Sequence, residues 1–231
     1  MAQQPQPDKR ILRAQIAARH IQGDGIEIGA LGTPLNVQPY ARVKYLDRHS
    51  LEDLRKEYPE MAQRALVKPD IIDSGETLDS IPDGSLDFIV ANHFLEHCQN
   101  LLGTLRTHAR KIRPNGRLFY AVPNRDFTFD RHRPVTPFAH LVQDDRDGPE
   151  LARDQHYLEW ASLVAQLPPG EAEKHAAELK AKNYSIHYHA WDARALFDTM
   201  ARAVDYIEFP GFVAHFELNL HEIICVLVRT R

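Results

Sequence analysis

Apolar residues in this chain switch repeatedly between helical and strand-like spacing, and the order of those switches predicts the fold. Ile11, Ala14, Ala18 and Ile21 recur at helical intervals behind Asp8, a good N-cap, with Gly23 beyond the end, so a leading helix is expected over 8–21. Gly25 to Gly29 and Val43 to Asp47 are short runs of β-formers on either side of a loop holding Pro34 and Pro39. Ser50 followed by Leu51, Leu54 and Tyr58 predicts a short helix, 70–73 a brief strand and 85–91 a longer buried one. Leu101, Leu105, Ala109 and Ile112 share one face of a helix that should stop at Arg113-Pro114. A turn at 114–116 then leads into a strand over 117–122. Such alternation predicts an α/β fold, a doubly wound, mostly parallel sheet with helices on both faces.

From Pro123 to about His189 the alternation breaks, and 124–190 is expected to be an insertion within a single domain spanning 1–231. Two helices are expected in it, near 149–167 and 171–182. The second is dense in Ala, Glu and Lys, as a solvated helix carrying i,i+4 pairs would be. The regular pattern resumes with a helix over 192–203, an extended segment over 204–209 and a last apolar strand over 221–228.

Charge narrows the possible partners. A net charge of -4 over 231 residues and a pI near 6.3 give no electrostatic footprint for a polyanion, so nucleic acid is not expected as a partner. Cys98 and Cys225 have no paired spacing for a disulfide framework or zinc knuckle, which fits a reducing compartment. No apolar run reaches the length of a membrane span, and the opening from Met1 to Lys9 lacks the charged-then-apolar order of a signal peptide. The expectation is a soluble, cytoplasmic protein.

Chemistry first shows at Glu27-Ile28-Gly29-Ala30-Leu31-Gly32, a glycine-bearing turn after an apolar strand, where a ligand can approach backbone that side chains would otherwise block. Asp47 closes the next strand 18 positions after Gly29, where a carboxylate can accept both hydroxyls of an adenosine ribose. The plainer alternative is a strand-to-loop turn with Asp47 capping the following helix. A dinucleotide site would add a third glycine and a helix N-terminus for the pyrophosphate, but Pro34 and Pro39 stand in that region. S-adenosylmethionine (SAM) has no pyrophosphate to anchor, so the pattern favours it over NAD.

The string Gly25-Ile26-Glu27-Ile28-Gly29-Ala30, Asp47, Pro82-Asp83-Gly84-Ser85-Leu86-Asp87-Phe88, His93-Phe94-Leu95-Glu96-His97 and Arg113-Pro114-Asn115-Gly116-Arg117-Leu118 resembles, in order and spacing, the motifs of class I SAM-dependent methyltransferases. The resemblance covers about 20–125 and is strongest to the small-molecule branch, including bacterial members that accompany glycosyltransferases in polysaccharide biosynthesis. It implies a Rossmann-like fold and SAM as cofactor. Glu27, Gly29, Ala30 and Gly32 would surround the methionine part, Asp47 would hold the ribose, Gly75-Glu76-Thr77 would lie near the adenine, and Asn92 and His93 would face the cofactor. It further implies an acceptor-side lid after the fifth strand and methyl transfer to oxygen of a small molecule or saccharide, with a glycosyltransferase as partner. The alternative is a catalytically silent SAM-binding module serving that partner.

His93-Phe94-Leu95-Glu96-His97 also spells H-x-x-E-H, a zinc-peptidase pattern with two histidines one helical turn apart. No third acidic ligand stands out in the sequence, and no metal ligand is assigned. For a hydroxyl acceptor the protein supplies alignment and a base. His132, His187 and His189 in the insertion are the candidates, since an imidazole titrates near neutral pH. Arg131 and Arg133 are candidates to hold an anionic acceptor, or else to pair with Asp126, Asp130 or Asp144-Asp145.

Overall fold

The computed structural model describes residues 8–61 and 63–231, so the opening segment before Asp8 lies outside the described residues. Helix α1 (Lys9–His20) starts where Asp8 accepts from the Arg10 N–H at 2.9 Å, and it buries Arg13, Ile16 and Ala17. Strand β1 (Gly23–Ile28) follows directly, then β2 (Ala41–Asp47), α2 (Leu51–Glu57) capped by Ser50, and the two-residue β3 (Ile71–Ile72). β4 (Leu86–Asn92), α3 (Leu101–Lys111) and β5 (Ile112–Pro123) complete the parallel half. Ile112 starts β5 rather than ending α3. The expected turn at 114–116 sits inside that strand, with Asn115 at a φ of 63°.

The sheet order is β3-β2-β1-β4-β5-β7-β6. β1 pairs in parallel with β2 and β4, and β4 with β5. β7 (Glu222–Arg229) runs antiparallel between β5 and β6 (Gly211–Asn219). The mostly parallel, doubly wound expectation therefore stands. The chain reverses its order of strand addition between β1 and β4, so the carboxyl ends of β1, β2 and β4 border the crevice where such sheets take ligands. One face is closed by α3, α7 (Ala193–Tyr206) and α4 (Phe138–Asp147), through residues such as Leu105, Leu196, Met200 and Leu141. The other is closed by α1, through Ile16, Ala17 and Ile21 against Phe88, Val90 and Phe119.

Several expectations are corrected. Residues 204–209 are not extended: α7 continues to Tyr206, because Thr199, Met200 and Ala203 carry its buried stripe onward and Val204 packs against the same core. The strand follows later, as β6, and the sequence reading did not foresee it. In the 124–190 segment α4 was likewise not foreseen. The first expected helix there divides into α5 (Glu150–Glu159) and a wider π-helical turn, Trp160–Val164. α6 (Pro169–Ala181) is not wholly solvated, since Ala172, Ala176 and Leu179 pack with Tyr157, Ala161, Ile186 and Tyr188 in a separate small core. Among the described residues no helix is long and apolar enough to cross a membrane.

Candidate active site

The turn after β1 is built by Glu27 and Gly29. Glu27 is buried, and both its oxygens accept from the Leu35 N–H at 3.0 Å, so its carboxylate pins the loop that replaces a crossover helix between β1 and β2. Burial pushes its pKa up to about 7, against the Leu35 N–H and the Asn92 amide, which pull it down. Gly29 has a φ of 64° and donates to Leu46 O at 2.9 Å, and a Cβ placed on it would meet nothing within 4 Å. The backbone at Gly29 is therefore bare, with open space where a side chain would stand. Ala30 is buried and accepts from Thr33 N–H in the next tight turn, while Gly32 packs near Met61, Ala65 and Leu66.

Asp47 ends β2 in register beside this turn, and its carboxylate accepts from the His49 N–H at 3.2 Å. Burial raises its pKa, with the His49 and Arg48 N–H groups opposing. Across β1, Asn92 ends β4. Its Nδ2 donates to Glu27 at 3.2 Å, while its buried Oδ1 has no partner. A bare backbone turn, a carboxylate at the end of β2 and an unpartnered amide oxygen at the end of β4 lie along one edge of three adjacent strands, and this set of groups fits an adenosyl amino acid.

Gly75-Glu76-Thr77 flanks the same edge. A Cβ on Gly75 would come within 2.6 Å of Ile28 Cγ2 and 2.7 Å of Phe94 Cζ, so glycine is required there by packing. Glu76 is desolvated, which raises its pKa, while N–H groups of Asn100 and Gln99 lower it; its carboxylate thus lies by the start of α3. Thr77 is exposed and donates to Asp79 at 2.8 Å. His93, with a φ of 52°, turns its Nε2 to Glu222 Oε2 at 2.9 Å. Glu222 also accepts from Arg13 Nε at 2.6 Å and Asn219 Nδ2 at 2.7 Å, and Lys9 lies 3.5 Å away. This buried network joins α1, β7 and the carboxyl end of β4. Neither Arg13 nor Glu222 was singled out from sequence; the available signal was a carboxylate inside the apolar strand Glu222–Arg229.

The H-x-x-E-H segment lacks the helix that a zinc-peptidase reading needs. Only a short 3-10 turn, Leu95–His97, forms, and His93 and His97 point to different partners, His97 Nδ1 meeting Ile186 O at 2.9 Å. Glu96 instead becomes the link to the 124–190 segment. It is 1% exposed, neither carboxylate oxygen has a hydrogen-bond partner, and its Oε1 lies 3.7 Å from His93 Nδ1 and 3.9 Å from His187 Nε2. His187 Nδ1 lies 2.6 Å from Asp130 Oδ2. Burial raises the Asp130 pKa, but the His187 hydrogen bond and Arg133 outweigh it and hold the carboxyl below its ordinary value.

The other candidates separate from this group. His132 is exposed, and its Nε2 accepts from Arg131 Nε. His189 is fully buried with His140 and His156. Arg133 is 2% exposed, pairs with Asp130 and Glu159 and donates to the carbonyls of His187 and Tyr188. Between the two readings of that arginine, the structure settles on ion pairing. A cleft of about 630 Å³ lies between α1 and 33–38, and neither Asp47 nor Asn92 lines it.

A family model described as "Methyltransferase domain" matches residues 16–203, most of the chain. The chain belongs to the class I SAM-dependent methyltransferases. Solved structures share the fold at low identity. One is the 1,6-didemethyltoxoflavin-N1-methyltransferase of Burkholderia thailandensis, crystallised with S-adenosylhomocysteine, at 12% identity and a TM-score of 0.51 over 98% of this chain and 80% of that one. Another is the CurJ carbon methyltransferase, at 12% identity and a TM-score of 0.51 over 96% of this chain; the match spans 54% of that structure's length. A third is a possible exported protein from Bordetella parapertussis, at 11% identity and a TM-score of 0.51 over 96% and 67% of the two chains. A comparison with curated proteins found no match.

Proposed function

We propose that this methyltransferase acts on a hydroxyl oxygen of a small-molecule or saccharide acceptor, with His187 as the general base and 124–190 as the acceptor-side lid. SAM, when bound, supplies a methyl group already activated on a sulfonium, transferred by in-line displacement. Asp47 would accept the ribose hydroxyls, the bare backbone at Gly29 would admit the methionine part, and the free Oδ1 of Asn92 would accept from an N–H donor of the cofactor. Glu27 keeps the intervening loop in place through Leu35.

The observation that carries the base assignment is the His187–Asp130 pair. With Asp130 accepting at 2.6 Å, Nδ1 holds the ring proton and Nε2 presents its lone pair, 3.9 Å from Glu96 and so outside hydrogen-bond range. That nitrogen can take the acceptor's proton as the oxygen attacks, while Asp130 stabilises the imidazolium. Phe129, 53% exposed with its ring 4.6 Å from that of His187, offers a flat apolar face for an acceptor ring. The resemblance of the motif string supports a saccharide acceptor and a glycosyltransferase partner, and the unpaired Cys98 and Cys225 support a reducing, cytoplasmic setting.

The test is S-adenosylhomocysteine release over a panel of nucleotide sugars and hydroxylated small molecules. His187→Gln should lower kcat by about 10²–10⁴-fold on the acceptor that the wild type uses and leave SAM affinity unchanged. Unchanged kcat in that variant would remove the base assignment. SAM binding without turnover of any acceptor would favour the silent binding module.

A further inference from the structure

His140 and Asp144 lie one helical turn apart on α4, His156 on α5, and His189 on the extended stretch before α7. One ligand atom from each of these four residues lies within 4.8 Å of those of the other three. His140 Nε2 is 3.0 Å from His156 Nε2 and 3.3 Å from Asp144 Oδ2. Both ring nitrogens of His189, which is 0% exposed, and Asp144 Oδ2, on a residue 2% exposed, have no hydrogen-bond partner. We propose that these four side chains form a divalent transition-metal site, with zinc as the fitting ion, that ties the α4–α5 hairpin to the segment carrying His189.

Geometry supports this. Zinc–nitrogen and zinc–oxygen bonds near 2.0–2.2 Å place tetrahedral ligand atoms about 3.3–3.5 Å apart. Two pairs are already near that separation, and since all the ligand atoms lie within 4.8 Å of one another the widest needs a contraction of at most about 1.4 Å. Gly148, with a φ of 92°, turns the chain between α4 and α5, which lets two helices and a strand-like segment bring ligands to one point.

Charge supports it as well. Three imidazoles and a carboxylate give a net charge of −1, suited to a dication. A neutral imidazole and an ionised carboxylate are the forms that ligate such an ion. A cleft of about 280 Å³ lined by His140, His156 and Tyr188 gives an entry path. Four protein ligands fill a tetrahedral zinc, so the site is structural rather than catalytic. The proposal stands apart from the role given to His187.

The test is metal content by mass spectrometry on purified protein, followed by zinc titration of the chelator-treated protein against a competing chelator. Expected are about one zinc per chain, a fall in the unfolding temperature on chelation that zinc reverses, and a loss of zinc affinity of at least ~100-fold in His140→Ala/His156→Ala. Cobalt substitution of the wild type should give the visible absorption of a tetrahedral ion, which requires no variant to fold. His97→Ala/His187→Ala, in the neighbouring Glu96-His97-His187 group, should keep its zinc. A wild type with no saturable zinc or cobalt binding would overturn the proposal. So would binding that survives loss of His140 and His156 but not of His97 and His187.

Discussion

Glu222 is fully buried and anchors His93 and, through Arg13, α1 at the carboxyl end of β4. Burial alone would raise its pKa. The hydrogen bonds from His93 and Arg13 outweigh that effect and bring it from 4.5 down to about 2. A depression of about 2.5 units corresponds to about 3.4 kcal/mol of native-state stabilisation, at 1.36 kcal/mol per unit. Because the folded pKa is the lower one, this stabilisation is fully present above pH 4.5 and is lost as pH falls toward 2. Glu222→Gln removes the titration and leaves Arg13 buried without its counter-charge, so the variant should be less stable than wild type by about 3 kcal/mol at pH 7. For a chain of this size that is a fall of roughly 6–12 °C in Tm. Urea unfolding at both pH 7 and pH 3.5 should show the gap narrowing by about 1.4 kcal/mol, the share of the linkage lost by pH 3.5. A gap below about 0.5 kcal/mol at pH 7, or one that does not change with pH, would refute the reasoning.

Other positions give further expectations. Gly75→Ala drives a methyl group into Ile28 and Phe94, and should cost about 1–3 kcal/mol in chemical denaturation. Glu27, with a pKa raised from 4.5 to about 7, has the opposite sign to Glu222. Its ionisation destabilises the folded state progressively as pH rises from 4.5 through 7, so Glu27→Gln should gain stability relative to wild type between pH 5 and pH 8, by about 2–3 kcal/mol, in thermal scans at the two pH values.

Much of the cofactor edge was legible because it is local in sequence: a β-strand ending in Gly29, a second ending in Asp47 and a third ending in Asn92 each announce themselves within a few residues. Asp8 and Ser50 as caps were legible for the same reason. The failures are non-local or arise from competing propensities. Val204, Tyr206 and Ile207 favour strands intrinsically, yet the buried stripe of Leu196, Met200 and Ala203 carries the helix through to Tyr206. β6 alternates only loosely and leaves Phe212 and Leu218 exposed as an edge strand, so its period was obscured. The pairing of Asp130 with His187 spans 57 positions and that of Arg13 with Glu222 spans 209. No periodicity reports such contacts. His189 is a candidate base in the sequence, but the fold buries it among three other potential metal ligands, an arrangement visible only once α4 and α5 are packed.

The most direct measurement is calorimetric titration of the purified protein with SAM and S-adenosylhomocysteine, beside Asp47→Ala and an NAD control. Saturable binding of both adenosyl ligands is expected, none of NAD, and affinity weakened at least ~10-fold in Asp47→Ala through loss of the carboxylate proposed to accept the ribose hydroxyls. Folded wild-type protein that binds neither adenosyl ligand, or an Asp47→Ala variant that binds them as tightly as wild type, would contradict this expectation.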